Sequence, residues 1–285
     1  MVSFPAPPTA VGSSALRVQL TYWWRHRRLA RLSAPRLFTE WVQHRKLNDR
    51  DPRLPILADK VLVKDWVAER LGPEWITPTL WAGKVMPTRP DWPLPVIVKS
   101  RHGCNQNMVV RSLADHREAV RRARRWAGRP YGAWLDEWLY GEITRGVIVE
   151  PFIGTGEALP IDYKIFVFAG VARFVQVHLG RGEQHRWIVF DRAWKRVSLP
   201  TDDPDPVMPE SLERMLAAAE ELGREFPFVR VDFYEIDGAP RFGELTFYPG
   251  SGLEPIQPMR LDLLMGLLWT AAAADWLERG MLVHA

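Results

Sequence analysis

The alternation of apolar and polar positions along the chain predicts a series of helices and short strands. Apolar residues that recur every three or four positions indicate amphipathic helices, whereas short apolar runs between polar loops are typical of buried strands. Helices are predicted over 15–32, 35–47, 60–71, 115–128, 211–226 and 261–280. Strands and hairpins are predicted over 75–83, 94–100, 108–112, 146–154, 161–179 and 229–247. Because hairpins and helices mix without regular βαβ alternation, this order predicts an α+β fold.

Short polar residues and glycines mark the ends of these elements. Asp59 is predicted to cap the start of helix 60–71, and Gly72 its end. Asp115 is predicted to lie near the N-cap of the following helix. The hairpins are predicted to turn at Ala169-Gly170 and Asp237-Gly238, since such pairs suit the positive φ angles of tight turns.

Composition places the chain among globular proteins of a reducing compartment. Of its 285 residues, 47% are hydrophobic and 25% are charged, an ordinary balance for a folded domain. The single cysteine, Cys104, excludes an internal disulfide. No apolar run reaches the length of a membrane span, and the N-terminus lacks the basic start and hydrophobic block of a secretory signal. These features predict a cytoplasmic protein.

Positive charge is concentrated at the N-terminus. Residues 1–50 hold nine Lys or Arg against Glu40 and Asp49, a net charge of +7, whereas the rest of the chain has a net charge of −3. The segment TYWWRHRRLARL predicts either peripheral contact of residues 15–32 with an anionic membrane or glycan-assembly partner, or a helix whose Trp residues pack on the body. No nucleic-acid partner is predicted, because the basic run is short and no groove-reading module is recognised.

The predicted hairpin VRVDFYEIDGAPRFGELTF carries charged residues that can meet on one face. Arg230 and Asp232 share a strand face because side chains alternate, and Glu244 lies across the hairpin. Two neighbouring carboxylates suit magnesium, which takes oxygen ligands and completes its shell with water and phosphates. An arginine beside them suits the charge that develops in a transition state. An ordinary surface Arg–carboxylate pair is the alternative interpretation.

Two further segments offer phosphate-binding and nucleotide-binding groups. Lys99 ends the apolar strand LPVIVKS, and a polar loop containing Gly103 follows it. The loop is neither a P-loop nor a dinucleotide fingerprint, and a lysine at a strand edge is the alternative. In VIVEPFIGTGEALPIDYKIF, an apolar link after Glu150 can hold an adenine, and Glu157 or Asp162 can accept from ribose hydroxyls. A solvated linker is the alternative there.

In this order the elements resemble an ATP-grasp enzyme, and the details narrow the resemblance to the TupA-like ATP-grasp family. The segments that carry it are PRLFTEWVQHRKLNDRDPRLPILADKVLVKDWV, DYKIFVFAG and FGELTFYPGSG, within about residues 35–255. The resemblance implies two α+β lobes that clasp ATP, with a short helical N-terminal extension. It places the extension and connector at 1–58, a small lobe at 59–148, and a large lobe with the metal site at 149–285.

The resemblance also implies roles for individual residues of this chain. Arg230 and Lys99 would act in catalysis, and Asp232, Glu244 and Thr246 stand at the metal positions. The residues implied for ATP are Lys60 and Lys99 at the phosphates, His102 and Gly103 in the closing loop, Glu150, Pro151, Phe152 and Ile153 at the adenine, and Glu157, Asp162 and Lys164 at the ribose and nearby phosphate. Gly250, Ser251 and Gly252 would help to bind the acceptor.

Three positions depart from the family pattern. Thr246 stands where ATP-grasp enzymes have a metal-binding asparagine, Trp41 where a lysine is expected, and Lys64 where an arginine follows the Asp-Lys pair. A threonine hydroxyl is a poorer magnesium ligand than an amide oxygen, so one of two metal ions would be held less firmly. These departures leave ATP binding expected and the acceptor open.

The function implied is an ATP- and magnesium-dependent carboxylate–amine ligase that forms an acyl phosphate and releases ADP. Its partners would be a small-molecule, glycan or peptide carboxylate and an amine, in cell-envelope polysaccharide or peptide modification. The alternative is a nucleotide-binding protein without catalysis that the basic N-terminus recruits to a membrane-bound glycan assembly. Phosphotransfer to a hydroxyl is disfavoured, because the kinase GxGxxG, HRD and DFG motifs are absent from the sequence.

Overall fold

A computed structural model describes residues 12–156, 159–179, 186–200 and 204–278, and within them the strands form two antiparallel sheets. The strands are β1 (Trp81–Gly83), β2 (Val96–Ser100), β3 (Asn107–Val110), β4 (Val147–Pro151), β5 (Asp162–Phe168), β6 (Val171–Leu179), β7 (Arg186–Asp191), β8 (Phe228–Ile236) and β9 (Ala239–Thr246). The α-helices are α1 (Gly12–His26), α2 (Phe38–Asn48), α3 (Arg53–Ala58), α4 (Leu62–Leu71), α5 (Leu113–Ala127), α6 (Leu139–Glu142), α7 (Leu212–Gly223) and α8 (Met259–Glu278). The predicted α+β class is confirmed.

Each sheet combines hairpins with one long connection, which contains α5 between β3 and β4 and α7 between β7 and β8. The first has the strand order β1-β4-β2-β3 and the second β7-β6-β5-β8-β9. Both predicted hairpins form, and all four of their turn residues have positive φ angles. Strands β5 and β8 pair with each other inside the second sheet. Each also has a second neighbouring strand, β6 beside β5 and β9 beside β8.

An aromatic core lies beneath the five-stranded sheet and joins it to α2 and α8. Phe228 of β8 lies 4.3 Å from Trp269 and 5.0 Å from Phe38, measured between ring centroids. The buried guanidinium of Arg45 lies 4.8 Å above the Trp269 ring, and it donates a hydrogen bond of 2.9 Å to the Phe228 carbonyl. Its Nε atom also donates to Asp49 Oδ2 at 3.0 Å, so a carboxylate offsets the charge together with ring faces and peptide oxygens.

A smaller core lies between the four-stranded sheet and α5. Ala119 and Ala123 of the helix are fully buried against Val96 and Val98 of β2 and Val149 of β4. The opposite face of α5 carries exposed arginines, and this division follows from the amphipathic pattern of the segment. The two cores are separate clusters, so each sheet has its own hydrophobic support.

The boundaries at 58 and 148 stay a prediction, and the packing shows which segments contact which sheet. Helices α2, α3 and α4 contribute Phe38, Leu54 and Val63 to the core of the five-stranded sheet. Strand β4 pairs with β1 and β2, and its last paired residue is Pro151. The whole strand therefore belongs to the four-stranded sheet. A division by packing therefore puts residues 38–75 with the second sheet and places the later boundary after Pro151.

Several predicted element ends are corrected by local hydrogen bonds. The helix predicted over 15–32 ends at His26, and Arg27 has a left-handed φ of 57°. The helix predicted from residue 60 begins at Leu62, because the Asp59 carboxylate accepts from the Val61 and Leu62 amides. Helix α5 is capped by Ser112, whose hydroxyl accepts from the Asp115 amide, so Asp115 is the third helical residue rather than the cap.

Other elements differ from the sequence pattern. Only the last three residues of the strand predicted over 75–83 form a strand, and residues 73–75 form a 3₁₀ turn. Helix α3 lies in the segment assigned to the connector, where Pro52 and Pro55 discourage a helical prediction. Strand β7 follows a polar segment without strong apolar alternation, and pairing with β6 decides its conformation. Among the described residues, no helix is long and apolar enough to cross a membrane.

We expect Phe228→Ala to lower the free energy of unfolding by about 3–5 kcal/mol, because it leaves a cavity beside Trp269, Phe38 and Arg45. Val207→Ala is the matched control, since Val207 is 89% exposed, and we expect it to change stability by no more than about 0.5 kcal/mol. Urea denaturation followed by tryptophan fluorescence measures both. Equal effects of the two substitutions would contradict the assignment of this aromatic cluster as the core.

Candidate functional site

A cavity of about 790 Å³ is lined by residues of both sheets, and it collects almost every residue predicted to act. Its walls come from β2 and β4 on one side and from β5, β6, β8 and β9 on the other. The predicted residues that line it are Lys60, Lys99, Gly103, Glu150, Pro151, Phe152, Ile153, Asp162, Lys164, Arg230, Asp232, Glu244 and Thr246. Residues far apart in sequence therefore face one space.

The centre of the second sheet presents a network of buried opposite charges. The Arg230 guanidinium donates to both Asp232 oxygens at 2.7 Å, and its Nη2 atom also donates to Thr246 Oγ1 at 2.9 Å. Lys164 Nζ donates to Asp232 Oδ2 at 2.5 Å. Burial alone would raise the pKa of Asp232, but these two cations outweigh it and hold the pKa at about 2. Asp232 is therefore an anion at every ordinary pH.

Backbone pairing explains why these groups meet. Asp232 of β8 lies opposite Glu244 of β9 and opposite Lys164 of β5 in the two flanking ladders. A β-bulge follows Asp232, with the extra residue Gly243 on β9. A Cβ atom at Gly243 would lie 3.0 Å from the Asp232 carbonyl oxygen, so a side chain at the bulge would require the backbone to shift. The bulge fixes where Glu244 points.

The pair Asp232 and Glu244 fits a magnesium ion that keeps water and phosphate ligands. Both are carboxylates on facing strand positions, and Glu244 is only partly buried. Arg230 Nη2 lies among the three metal-position side chains, 3.5 Å from Glu244 Oε1. Thr246 Oγ1 accepts from Arg230 and donates to Glu244 Oε1 at 3.1 Å, so its hydroxyl is already engaged. The donor set therefore fits one ion on two carboxylates, with Arg230 moving aside.

A second charged cluster joins the first sheet to α4. Glu150 of β4 is buried, and its carboxylate meets Lys99 Nζ at 2.7 Å and Lys64 Nζ on its other oxygen. Lys64 Nζ also donates to the Thr77 carbonyl at 2.7 Å and to Thr79 Oγ1 at 2.8 Å. Burial opposes the charged form of Lys99, but Glu150 outweighs that effect and raises its pKa above the usual value. Glu150 therefore positions Lys99 toward the cavity.

The polar loop after β2 is tied to the segment that precedes α4. Arg101 Nε donates to both Asp59 oxygens, at 2.7 and 2.8 Å, and Lys60 Nζ donates to the Gly103 carbonyl at 2.8 Å. Lys60 Nζ also lies 3.8 Å from Glu244 Oε2 across the cavity. One ammonium thus links the loop of the first sheet to the metal position of the second.

Two predicted ATP-binding residues are not placed at the cavity. His102 is buried, with Nδ1 3.2 Å from Ser100 Oγ and Nε2 3.2 Å from the Arg129 carbonyl, and it is not among the residues that line the cavity. Its ring supports the loop rather than facing a ligand. Glu157 lies outside the described residues.

The structure adds residues that the sequence pattern did not single out. Gln176 and His178 of β6 lie opposite Lys164 and Asp162, and both line the cavity. Their spacing of two along a strand puts them on one face, a signal that period-two alternation contains. Lys64, noted only as a departure from the family pattern, is a partner of Glu150.

The loop after β9 is held in a strained conformation by α2. Gly250, Ser251 and Gly252 all have left-handed φ angles, and a Cβ atom at Gly252 would lie 2.4 Å from Gln43 Nε2. Gln43 Nε2 donates to the Ser251 carbonyl at 2.8 Å, and Lys46 Nζ donates to the same oxygen at 2.7 Å. These bonds hold Ser251 where a non-glycine residue rarely rests.

Helix α1 covers this end of the cavity. Arg25 Nε donates to the Leu253 carbonyl at 3.1 Å, Arg17 Nε donates to Asp136 at 2.7 Å, and Tyr22 is buried. The Trp residues do not pack on the body as one interpretation proposed. Trp23 is 48% and Trp24 57% exposed, and Arg27 and Arg25 lie over their rings. Tyr22 and the arginines attach the helix instead.

A family model described as TupA-like ATPgrasp matches residues 40–269 of the chain. Among solved structures, D-alanine–D-alanine ligase from Bacillus anthracis, complexed with ATP, matches with a TM-score of 0.50 and 15% identity, over 79% of this chain and 67% of that chain. At this identity the likeness shows the fold alone, and it confirms the predicted ATP-grasp fold. A comparison with curated proteins finds no match.

Two other ligases are similar at lower scores. L-amino acid ligase from Bacillus licheniformis matches with a TM-score of 0.44 and 15% identity, over 80% of this chain and 49% of that chain. ATP-grasp ligase PsnB matches with a TM-score of 0.43 and 14% identity, over 79% of this chain and 60% of that chain. That structure is a complex with a phosphomimetic variant of the minimal precursor, Mg and ADP. The chain spans about half to two thirds of the length of these structures.

We expect Glu150→Gln to lower the free energy of unfolding by about 3–5 kcal/mol, because it leaves two partly buried lysines beside each other without their shared counter-charge. Glu118→Gln is the matched control, since Glu118 meets Arg121 and Arg122 on the exposed face of α5. Surface pairs of that kind contribute little, so stability should barely change. Urea denaturation compares the two variants, and a neutral Glu150→Gln would show that the lysines do not need this carboxylate.

Proposed function

Because this chain belongs to the TupA-like ATP-grasp family, we propose that it is an ATP- and magnesium-dependent carboxylate–amine ligase. It would activate a carboxylate as an acyl phosphate, release ADP and form a carbon–nitrogen bond. The observation that carries this proposal is the convergence of Lys60, Lys99, Lys164 and Arg230 with Asp232 and Glu244 on one cavity. Cations that surround a carboxylate pair suit a polyphosphate and its metal ion.

The nucleotide would lie with its phosphates at the ammonium groups and its base at the end of β4. Lys99 is held by Glu150, and Lys60 by the Gly103 carbonyl, so both reach the cavity from fixed points. The Phe152 amide donates to the Pro95 carbonyl at 3.2 Å. The adenine edge would therefore be met by other groups of the link 151–153, and Glu150 would act on Lys99 rather than on the base.

The proposed reaction forms and breaks bonds in two steps. A carboxylate oxygen attacks the γ-phosphorus of ATP and ADP leaves, and then an amine nitrogen attacks the acyl carbon and phosphate leaves. Arg230 would stabilise the charge that develops at the reacting phosphoryl and acyl centres, since it lines the cavity and its guanidinium would be free to meet the ligand once a metal ion takes the oxygens of Asp232 and Glu244. Bound magnesium would be held by Asp232 and Glu244, where it would neutralise phosphate charge.

The biological setting is proposed from the family resemblance and from α1. The resemblance suggests a cytoplasmic enzyme that modifies cell-envelope polysaccharides or peptides, with a glycan, peptide or small-molecule carboxylate and an amine as partners. Leu16, Leu20, Trp23 and Trp24 are exposed on α1 beside several arginines. An exposed apolar stripe with basic neighbours suits peripheral contact with an anionic membrane.

A nucleotide-binding protein without ligase activity is the second candidate, recruited by the same helix to a membrane-bound glycan assembly. The observation that favours it is Thr246, whose hydroxyl is engaged by Arg230 and Glu244 at a position where the family pattern has a metal-binding asparagine. ATP binding without turnover on any acceptor would support this candidate over the ligase.

We expect ATP and ADP to bind in a magnesium-dependent manner, and Asp232→Asn to remove most of that dependence because one of two metal carboxylates is lost. Isothermal titration with and without magnesium measures this. Glu213→Gln is the control, since Glu213 is exposed on α7 outside the cavity. Absence of nucleotide binding to the unaltered protein would contradict the proposed function.

We expect the protein to co-sediment with vesicles rich in phosphatidylglycerol, and the double substitution Leu20→Ser and Trp23→Ser to reduce the bound fraction several-fold by removing apolar side chains from the interface. Added salt should weaken binding because the arginines contribute electrostatically. Val207→Ser is the control, as an exposed apolar residue elsewhere on the surface. Equal binding of both variants would contradict membrane contact through α1.

A further inference from the structure

A pair of buried ionisable groups lies at the end of the cavity that α1 covers. Glu137 is 4% exposed and lines the cavity, and Lys46 of α2 is 2% exposed. Neither was predicted from the sequence, and neither belongs to the clusters around Asp232 or Glu150. Buried charges of this kind are costly and are found where their chemistry is used or where they are fully paired.

Ser251 lies between Lys46 and the cavity. Its hydroxyl accepts from Lys46 Nζ at 2.6 Å, and its side chain helps to lower the pKa of Glu137. Lys46 Nζ also donates to Gln43 Oε1 at 3.1 Å and to the Ser251 carbonyl at 2.7 Å. The Lys46 ammonium therefore has three oxygen partners, whereas Glu137 faces a cavity. The carboxylate is the member of the pair that is open to a ligand.

The surroundings of Glu137 keep it close to its protonation midpoint. Burial raises the pKa of Glu137 to about 7, against the attraction of Lys46 and the Ser251 hydrogen bond. Burial also lowers the pKa of Lys46 to about 8, and Glu137 and Asp136 oppose that effect. The other titratable groups that interact with Glu137 are uncharged near neutral pH, and burial raises the pKa of each: Cys104, Tyr131, Tyr140 and Tyr248.

Glu137 is also linked to the reacting end of the cavity. Tyr140 and Cys104 each lie within electrostatic reach of both Glu137 and Glu244, and Tyr140 Oη lies 3.3 Å from Cys104 Sγ. Both residues line the cavity together with Glu137 and Glu244, so all four border the space that a ligand would fill.

We propose that Glu137 is a further catalytic residue, which binds the ammonium group of the acceptor and takes its proton before the amine attacks. This rests on the proposed ligase function and assigns the amine subsite within the same cavity. Lys46 is a positioning residue, which holds Ser251 and keeps the Glu137 carboxylate ionised. The left-handed loop 250–252 would form the wall opposite Glu137.

The proton balance of the step follows from the charges. A primary amine reaches the enzyme as an ammonium ion with three protons on nitrogen. One proton passes to Glu137, and the neutral nitrogen then attacks the acyl carbon. As the carbon–nitrogen bond forms and the carbon–oxygen bond to phosphate breaks, a second proton leaves with the phosphate. The third stays on the amide, and Glu137 returns its proton to solvent when the product leaves.

Hydroxylamine provides the decisive probe, because it is largely uncharged near neutral pH and needs no base. The assay measures ADP release from the full-length protein with ATP, magnesium, a panel of carboxylates and one of two kinds of nucleophile. The charged amines are ethanolamine and D-glucosamine, and the uncharged probe is hydroxylamine. The carboxylates are succinate, L-glutamate, D-alanine and D-glucuronate.

We expect Glu137→Gln to lower ADP release with the charged amines by about 100-fold or more, and to leave hydroxylamine-dependent release nearly unchanged. The deficit with charged amines should shrink as pH rises, because more of each amine is then uncharged. Glu142→Gln is the matched control, since Glu142 is an exposed carboxylate of α6 outside the cavity lining. It should affect neither reaction.

Lys46→Met retains the Glu137 carboxylate and tests the proposal if Glu137→Gln fails to fold. Removing the ammonium should raise the Glu137 pKa, so the acidic limb of the pH profile with charged amines should move to higher pH, with no such move for hydroxylamine. If the acidic limb of Lys46→Met does not move, the role of Glu137 is overturned. The same holds if a folded Glu137→Gln loses both reactions equally, or if it keeps full activity with charged amines. Failure of the unaltered protein to release ADP with any pair would count against the ligase function itself.

Discussion

The need to neutralise buried charge organises this molecule. An ionised group that leaves water must find an opposite charge or a full set of hydrogen-bond partners, since an unpaired one is very costly. Asp232 has Arg230 and Lys164, Glu150 has Lys64 and Lys99, and Arg45 has aromatic faces and carbonyl oxygens. The sheets, the bulge at Gly243 and the packing of α2 and α4 place these partners within reach of one another.

The same pairs describe a cavity ready for a highly charged ligand. Each cation that a polyphosphate would need is already fixed by a carboxylate or a carbonyl, so little side-chain entropy remains to be lost on binding. The arrangement also means that binding is an exchange of partners: Arg230 must turn from Asp232 and Glu244 if a metal ion takes those oxygens. Ordered pairs across the two sheets thus prepare the site and make its charges mutually dependent.

Helix α1 contacts the loops around the cavity on one side and is exposed on the other. Its buried side, through Tyr22, Arg17 and Arg25, holds the loops that enclose the Glu137 end of the cavity. Its outer side carries the exposed side chains of Leu16, Leu20 and Trp23, while the Trp24 ring borders the cavity. An N-terminal segment that looks like an appendage in sequence is therefore part of the cavity wall, and any contact made by its outer face would lie close to the acceptor end.

The sequence by itself determined the α+β class, both hairpins and the meeting of Arg230, Asp232 and Glu244, because strand alternation and tight-turn residues act over short distances. It also supplied the family pattern that placed most of the cavity residues. Only the tertiary structure decided that His102 supports a loop, that Lys64 joins Lys99 on Glu150, that Lys46 bonds to Ser251, and that Glu137 is buried in the cavity wall. Those outcomes depend on contacts between residues from 27 to 205 positions apart, such as His102 with Arg129 and Lys46 with Ser251. The free energy of burying a charge is set by such distant partners, and no local pattern records them.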